Sequence, residues 1–587
     1  MRRLLPLVLL LACGAAAAAT PRVQVQVEGV DGPLLKNVLA YLSISTYEDA
    51  PNLTDTLVER LNARAPDEIR QALQPFGYYG TEVKATLAST STGWLAHYVI
   101  TLPPPVKLRH IDVTLDGEGR GDPSYDQFFS ALPIAAGDSL DQAKYEAVKQ
   151  RMQEIASRHG YIDAQFTTAK LEVDPQEHWA DVTLVFDTGP RYYFGDVTFV
   201  QDFMDEPFLR RYVKFKPGDP YDNNQVLALQ YALNDSGYFS GVNLEVLRQQ
   251  AMERRIPIRI TLTAAKRNKY SIGLGYGTDT GPRVTLGWTN RRINGLGHSM
   301  AAQAQFSHVL ESGLLTYTVP LSDPAAERLV YSLSNSRQVF DTNIVYTSAL
   351  GVSRYTAWGA WSEVQYLQLE HDRSILANGS AAAAVTPGLV FNTTLLMPGV
   401  TFSRSVSDSL VLPTEGYRMS ADLRGANNAL LSDTSFLQLH LQAKLIVPLG
   451  DYTHLLLRGE LGASAVKSFD ELPVSQRFYA GGDQSVRGFA YNSLGTRDPV
   501  TGVLVGGQDL QVASVEIDHF FGRLFGVAGF VDAGDATNSF TVSLEKGVGG
   551  GLRWRTPVGM VRVDLAHPVK RPDLDQVRLH VSIGPDL

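Results

Sequence analysis

Two textures of hydrophobic and polar positions divide the chain. Between about 20 and 266, apolar residues recur at helical spacing in some stretches and alternate in others. From about Lys269 onward only short alternating stretches remain, separated by glycine, asparagine, aspartate and proline turns. One phrase recurs in the first region: Phe76-Gly77-Tyr78-Tyr79, His159-Gly160-Tyr161-Ile162 and Ser236-Gly237-Tyr238-Phe239, roughly 80 residues apart. In the second copy, 141–157 carries Ala143, Val148, Met152 and Ile155 at helical spacing, and Gly160 supplies the left-handed residue that ends a helix. Alternating stretches at 166–173 and 179–187 follow, joined at Asp174-Pro175 as a hairpin. The third copy repeats the plan with a helix at 226–234 and strands at 242–247 and 256–262. Each module is thus predicted to be a strand, helices and two strands, giving three α+β domains at 20–104, 105–189 and 190–266.

In the second region, Leu552 and Trp554 alternate with Arg553 and Arg555, and Val561, Val563 and Leu565 with Arg562 and Asp564. Val577, Leu579, Val581 and Ile583 likewise alternate with Arg578, His580 and Ser582. Such alternation suits a soluble sheet with an apolar core or a membrane barrel with an apolar exterior. At about 20 residues per strand and connection, 267–587 holds about sixteen strands, the even number of a closed antiparallel transmembrane β-barrel. Ser322-Asp323-Pro324, Gly450-Asp451 and Thr556-Pro557-Val558-Gly559 read as periplasmic turns, and 467–508 as a long outer-surface loop.

The start of the chain favours the membrane reading. Arg2 and Arg3, an apolar run at 4–12 and Ala17-Ala18-Ala19 form a signal peptide over 1–19. Leu10-Leu11-Ala12-Cys13 also fits a lipobox, which would make Cys13 the acylated first residue of a lipoprotein. Cys13 is the chain's one cysteine, so cleavage after Ala19 removes disulfides, thiolate metal sites and cysteine nucleophiles from consideration. Beyond the leader no run of about eighteen apolar residues is present to form a transmembrane helix. The balance of 52 basic against 61 acidic residues, with no basic face, argues against nucleic acid as a partner. Gly-x-Ser-x-Gly, His-Glu-x-x-His and Gly-x-x-x-x-Gly-Lys are all absent from the sequence and the histidines are scattered, so no enzyme, metal site or cofactor is expected. Glu363 and Asp372 read as solvated or luminal strand residues rather than an acid/base pair.

The repeated module resembles the POTRA domain of outer-membrane assembly and secretion proteins. Its exposed strand edges offer unpaired backbone groups to an extended client by β-augmentation. Within the long loop, Arg477-Phe478-Tyr479-Ala480-Gly481-Gly482-Asp483-Gln484-Ser485-Val486-Arg487-Gly488-Phe489 resembles the loop signature of the BamA/TamA superfamily, with its core Val486-Arg487-Gly488-Phe489 intact. The resemblance implies a loop folded back into the barrel, with Arg487 against acidic residues of the inner wall. Parity places Ser514, Glu516 and Asp518 on the polar face of 509–519, and Asp532 on that of 525–534. Asp532 lies in Gly529-Phe530-Val531-Asp532-Ala533-Gly534, which is similar to the family's Phe-x-Asp-x-Gly strand, so Asp532 and Glu516 are the expected partners of Arg487. The planar guanidinium fork suits such carboxylates. The pairing would pin the loop for transport, or simply brace the barrel.

A second candidate is the seam between the first barrel strand, with Tyr270, Ile272 and Leu274 alternating with Gly273 and Gly275, and the last, with Leu579, Val581 and Ile583 before Gly584-Pro585. Glycine weakens strand pairing and proline cannot donate to a ladder, so the seam should be weak, with Ile272 near Val581. In the family such a seam resembles a lateral gate; the glycines could equally just relieve crowding in the lumen. Three modules plus sixteen strands resemble the TamA branch. That branch implies outer-membrane lipid around the barrel, unfolded outer-membrane client proteins such as autotransporters, an inner-membrane-anchored TamB-like partner, and no cofactor or nucleotide. Two alternatives stand beside it. A two-partner secretion transporter exporting a large exoprotein shares the loop, but usually has two POTRA domains and a plug helix, for which little room precedes a first strand at 23–27. A passive porin would leave the modules and 486–489 without purpose.

Overall fold

The computed structural model describes residues 23–47, 54–90, 93–278, 281–340, 343–376, 389–500, 502–540, 544–557, 559–569 and 577–584. The leader with Cys13 and the lipobox, together with Val558 and Pro585, lies outside them.

Three three-stranded sheets share one topology, with the last strand of each module in the middle. In the first, Val23–Glu28 runs parallel to Gly93–Thr101, which pairs antiparallel with Glu82–Thr90. In the second, Trp179–Asp187 lies between Lys107–Asp116 and Gln165–Asp174. In the third, Arg255–Ala264 lies between Tyr193–Val200 and Phe239–Val246. Alternation explains the packing: Ala180, Val182, Leu184 and Phe186 share one face and are buried in the same core as Val148, Met152 and Ile155 of the helix Gln142–Arg158. Asp141 starts that helix by accepting the N–H of Ala143 at 3.0 Å.

The recurrent glycines adopt φ of 82° at Gly77, 84° at Gly160 and 75° at Gly237. The phrase also sits at the joints. Val106 donates to the carbonyl of Gly77 at 2.9 Å, Tyr192 to that of Gly160 at 2.8 Å, and Ala265 to that of Tyr238 at 2.9 Å. A Cβ on Gly160 would stand 2.6 Å from the Tyr192 carbonyl oxygen, so a side chain there would break both the helix stop and the joint.

From Asn268–Gly277 to Arg578–Gly584 the chain forms a sixteen-stranded antiparallel sheet in which every strand pairs with its neighbours in sequence. The burial of its two faces decides the compartment. Leu552 is 62% exposed while the adjacent Arg553 is 1% exposed, and the same inversion separates exposed Val531 from buried Asp532 and exposed Leu565 from buried Asp564. A soluble sheet buries its apolar face; here the charged face is buried, and the apolar face requires lipid.

Candidate functional site

The loop between the strands Thr453–Val466 and Asp509–Phe521 runs through the lumen and is tied to two walls. At one wall, Gln476 Nε2 donates to Glu370 Oε1 at 2.8 Å, Ser475 Oγ donates to Asp372, and Gln438 Nε2 donates to the Gln476 carbonyl at 2.7 Å. Asp372 is therefore a buried acceptor for the loop, whereas Glu363 sits in an exposed pairing with Gln365. Sequence reasoning missed this anchor because Asp372 and Ser475 are far apart in the chain and no local pattern links them.

At the other wall, Val486 and Phe489 enter a buried apolar cluster with Phe478, Leu494, Leu510 and Val512. Between them Arg487 is 5% exposed and projects into an array of carboxylates. Its Nε and Nη2 meet Asp532 Oδ2 and Oδ1 at 2.8 and 3.0 Å, a bidentate pair, and its backbone N–H donates to the same Oδ2 at 3.0 Å. Its Nη1 reaches Glu516 Oε2 at 2.7 Å and Asp564 Oδ2 at 3.0 Å. The guanidinium carbon lies 3.3 Å from the centroid of the Phe530 ring. Arg553 bridges the same two acids, with Nη2 at 2.6 Å from Glu516 Oε1 and Nη1 at 2.5 Å from Asp564 Oδ1. Arg458 Nη2 stands 4.0 Å from Asp532 Oδ1, so three guanidiniums face three carboxylates.

The backbone of the signature is gripped as closely as its side chain. Gly488 N–H donates to His580 Nε2 at 2.9 Å, which leaves His580 Nδ1 to meet Asp483 Oδ1 at 2.5 Å. That pattern fits the neutral imidazole with its proton on Nδ1. A Cβ on Gly547 would stand 1.8 Å from the Arg487 carbonyl oxygen, so that strand must be bare for the loop to seat.

The structure thus brings Arg487, Asp532 and Glu516 together, while Asp518 on the same face pairs with His454 at 2.8 Å. Asp564, Arg553, His580 and Asp483 complete the site and were not selected from sequence. The first three lie on the charged faces of the last three strands, so the parity that pointed to Asp532 was available for them as well.

Among the described residues no backbone ladder joins the first and last barrel strands. Val581 N–H instead donates to Thr278 Oγ1 at 3.0 Å. Val581 therefore lies by Thr278, not Ile272; the six-residue offset is about 20 Å along a strand. Continued antiparallel, this register brings Gly584 close to Gly275 on the first strand. Tyr270, Ile272 and Leu274 point outward there, Ile272 at 71% exposure. Leu579 and Ile583 point outward on the last strand, opposite Leu565 and Val561, and Gly584 pairs with Met560. Gly273 faces Thr285, and a Cβ on Gly275 would stand 3.3 Å from Arg283 Nη2, so Gly275 makes room for a guanidinium.

Comparison with known proteins follows the same division. The family described as "Omp85 superfamily domain" matches 266–586, "POTRA domain TamA domain 1" matches 24–102, and the POTRA family described as "Surface antigen variable number repeat" matches 124–189 and 192–264. The outer membrane protein assembly factor BamA of Nitratidesulfovibrio vulgaris is 25% identical over 431 residues, covering 70% of this chain and 53% of that protein. The chain thus spans about half the length of that relative. BamA of Neisseria meningitidis serogroup B is 21% identical over 594 residues, covering 90% of this chain and 73% of the relative. The crystal structure of BamA from Haemophilus ducreyi lacking POTRA domains 1–3 matches the fold with a TM-score of 0.64 at 17% identity, over 82% of this chain and 99% of that one.

Proposed function

This chain belongs to the Omp85 superfamily, and we propose from that premise that it is an assembly factor of the TamA kind, which helps β-barrel clients such as autotransporters enter the outer membrane. Its barrel lies in the outer membrane and its POTRA modules in the periplasm. The observation that carries the reading is the seam itself: among the described residues no backbone ladder joins Asn268–Gly277 to Arg578–Gly584, and Val581 N–H donates instead to Thr278 Oγ1, so the edge of the first strand is weakly held. A client strand arriving from the periplasm pairs with that edge, and each backbone hydrogen bond gained contributes about 0.5–1.5 kcal/mol net. No nucleotide is required, because the client's own folding supplies the drive. The edges of the three POTRA sheets offer earlier, sequence-tolerant holding sites, and the first module's likeness to "POTRA domain TamA domain 1" supports an inner-membrane-anchored TamB-like partner on the periplasmic side. The loop held by Arg487 lies in the lumen and narrows it, which favours a client's use of the seam over passage through the barrel.

The test uses cysteines at Thr278 and Val581, which the 3.0 Å contact brings within reach of a disulfide. The chain's natural cysteine is confined to position 13, so the pair is unambiguous. Oxidation should stop client insertion into vesicles while leaving heat-dependent gel mobility intact, and reduction should restore it. Insertion at the normal rate by fully oxidised protein overturns the reading.

A further inference from the structure

A cluster of cations sits at the foot of the first barrel hairpin. Lys266 and Arg267 precede the strand Asn268–Gly277, and Arg291 and Arg292 follow its partner Gly281–Asn290, so all four flank the pair of Asn268 and Asn290 that ends this ladder on the periplasmic side. Other turns at this end of the barrel carry acids, Asp323, Asp408 and Asp451, in a chain whose net charge is −9. The guanidiniums lean on backbone rather than on carboxylates. Arg267 Nε and Nη2 donate to the carbonyls of Arg292 and Ile293 at 2.8 and 2.9 Å, Arg291 Nη1 to that of Lys266 at 2.9 Å, and Arg292 Nη2 to that of Ala265 at 2.9 Å. Such bonds fix the side chains but leave their charge unneutralised. Among the described residues none of the four cations pairs with a carboxylate, and the buried Nε of Arg292 has no acceptor. Burial and the neighbouring Arg267 lower the pKa of Arg292, so the cluster repels itself.

We propose that this cluster binds the phosphate of an anionic phospholipid in the inner leaflet, whose acyl chain lies in a groove on the outside of the same strands. Depth on the barrel points to the lipid source. The outward apolar residues Ile272, Leu274 and Leu286 give way towards the periplasm to Tyr270 and Trp288, which face each other across the ladder. Tyrosine and tryptophan favour the boundary between hydrocarbon and headgroups, and Trp288 Nε1 donates to Asn268 Oδ1 at 3.2 Å, its polar edge towards the periplasm. The cations follow three or four residues further on, about 10–13 Å along the chain, where headgroups lie. Above them a groove of about 590 Å³ crosses the first three strands, with Tyr270, Trp288 and Ala302 aligned in one row and Ile272, Leu286 and Ala304 in the next. The alanines leave room for a chain beside the larger side chains. A guanidinium has five N–H donors, of which the backbone takes only one or two here, so a phosphate with several acceptor oxygens suits the rest. Lipid binding at this foot does not require a client strand to pair at the seam.

Full-length protein in neutral detergent is titrated calorimetrically with dihexanoyl phosphatidylglycerol, dihexanoyl phosphatidylcholine, dihexanoylglycerol and inorganic phosphate. Phosphatidylglycerol should bind more tightly than the other three. Lys266→Gln combined with Arg267→Gln should weaken its binding about tenfold or more, as removal of two cations near a headgroup requires. Ala302→Leu combined with Ala304→Leu fills the groove without touching a charge, and should weaken phosphatidylglycerol severalfold while leaving inorganic phosphate unaffected. Unchanged phosphatidylglycerol binding by the charge variant, with normal gel mobility, overturns the proposal. Inorganic phosphate binding as tightly as phosphatidylglycerol assigns the cations to a soluble anion and overturns the lipid source, and phosphatidylcholine or dihexanoylglycerol binding as tightly overturns the part given to the cations.

Discussion

Removing the Arg487 guanidinium tests the luminal latch most directly. In Arg487→Ala, Asp532, which is fully buried, loses its bidentate partner, and Glu516 and Asp564 keep only Arg553 from the original pair of bridging cations. The balance of three guanidiniums to three carboxylates becomes two to three among buried side chains. Breaking a buried ion pair from one side costs about 3–5 kcal/mol, because the abandoned charge stays desolvated. Asp532→Ala should cost a similar amount, since it strands Arg487 and also removes the acceptor for the backbone N–H of Arg487 and the hydroxyl of Ser514. In the double variant neither charge is stranded by the other, so the combined loss should fall short of the sum by about 0.5–3 kcal/mol. Urea unfolding of vesicle-inserted protein, followed by tryptophan fluorescence, gives the stabilities. Protease cleavage at Arg477 and Arg497, which both variants retain, reports whether the loop has left the lumen. Additivity of the two single effects within about 0.5 kcal/mol would refute direct coupling.

Gly547→Ala should expel the same loop without altering a charge, because its Cβ would lie 1.8 Å from the Arg487 carbonyl; protease sensitivity near Arg487 should rise, while Gly529→Ala, whose Cβ meets nothing within 4 Å, should leave it unchanged. Acid should loosen the second POTRA module before the others. Burial opposes ionisation of Asp122, but the Ser124 N–H, the His159 imidazole and the Ser124 and Tyr161 hydroxyls outweigh it and hold the carboxyl below its ordinary range. The hydrogen bond from Arg109, aided by His110, holds Asp181 at about 2. Both folded-state values are depressed, so their stabilisation is complete above the ordinary carboxylate value near about 4 and fades as pH falls towards about 2. Hydrogen exchange in the helix Pro123–Phe129 should quicken below about pH 4, and Asp122→Asn should flatten that response; an unchanged profile would count against the assignment.

Much of this was legible in the sequence because it is written in short-range pattern. The glycine phrase at 77, 160 and 237 marks the modules since only a left-handed residue ends those helices, and the alternation of Leu552 with Arg553 marks a two-faced strand. Alternation could not say which face met water; burial of Arg553 and Asp564 beneath exposed Leu552 and Leu565 settled it. Register was the hidden quantity. Nothing local shows that Val581 lies by Thr278, that Asp372 meets Ser475, or that Arg418, Lys444 and Arg458 stand in one row.

Burial also decides how the luminal latch responds to salt. Around Arg487 the opposite charges are matched and buried, so salt has little access to them and the loop should stay latched at high ionic strength. A latch benefits from insensitivity to its surroundings. The interleaving of Arg487 and Arg553 with Asp532, Glu516 and Asp564 is what gives the loop that permanence.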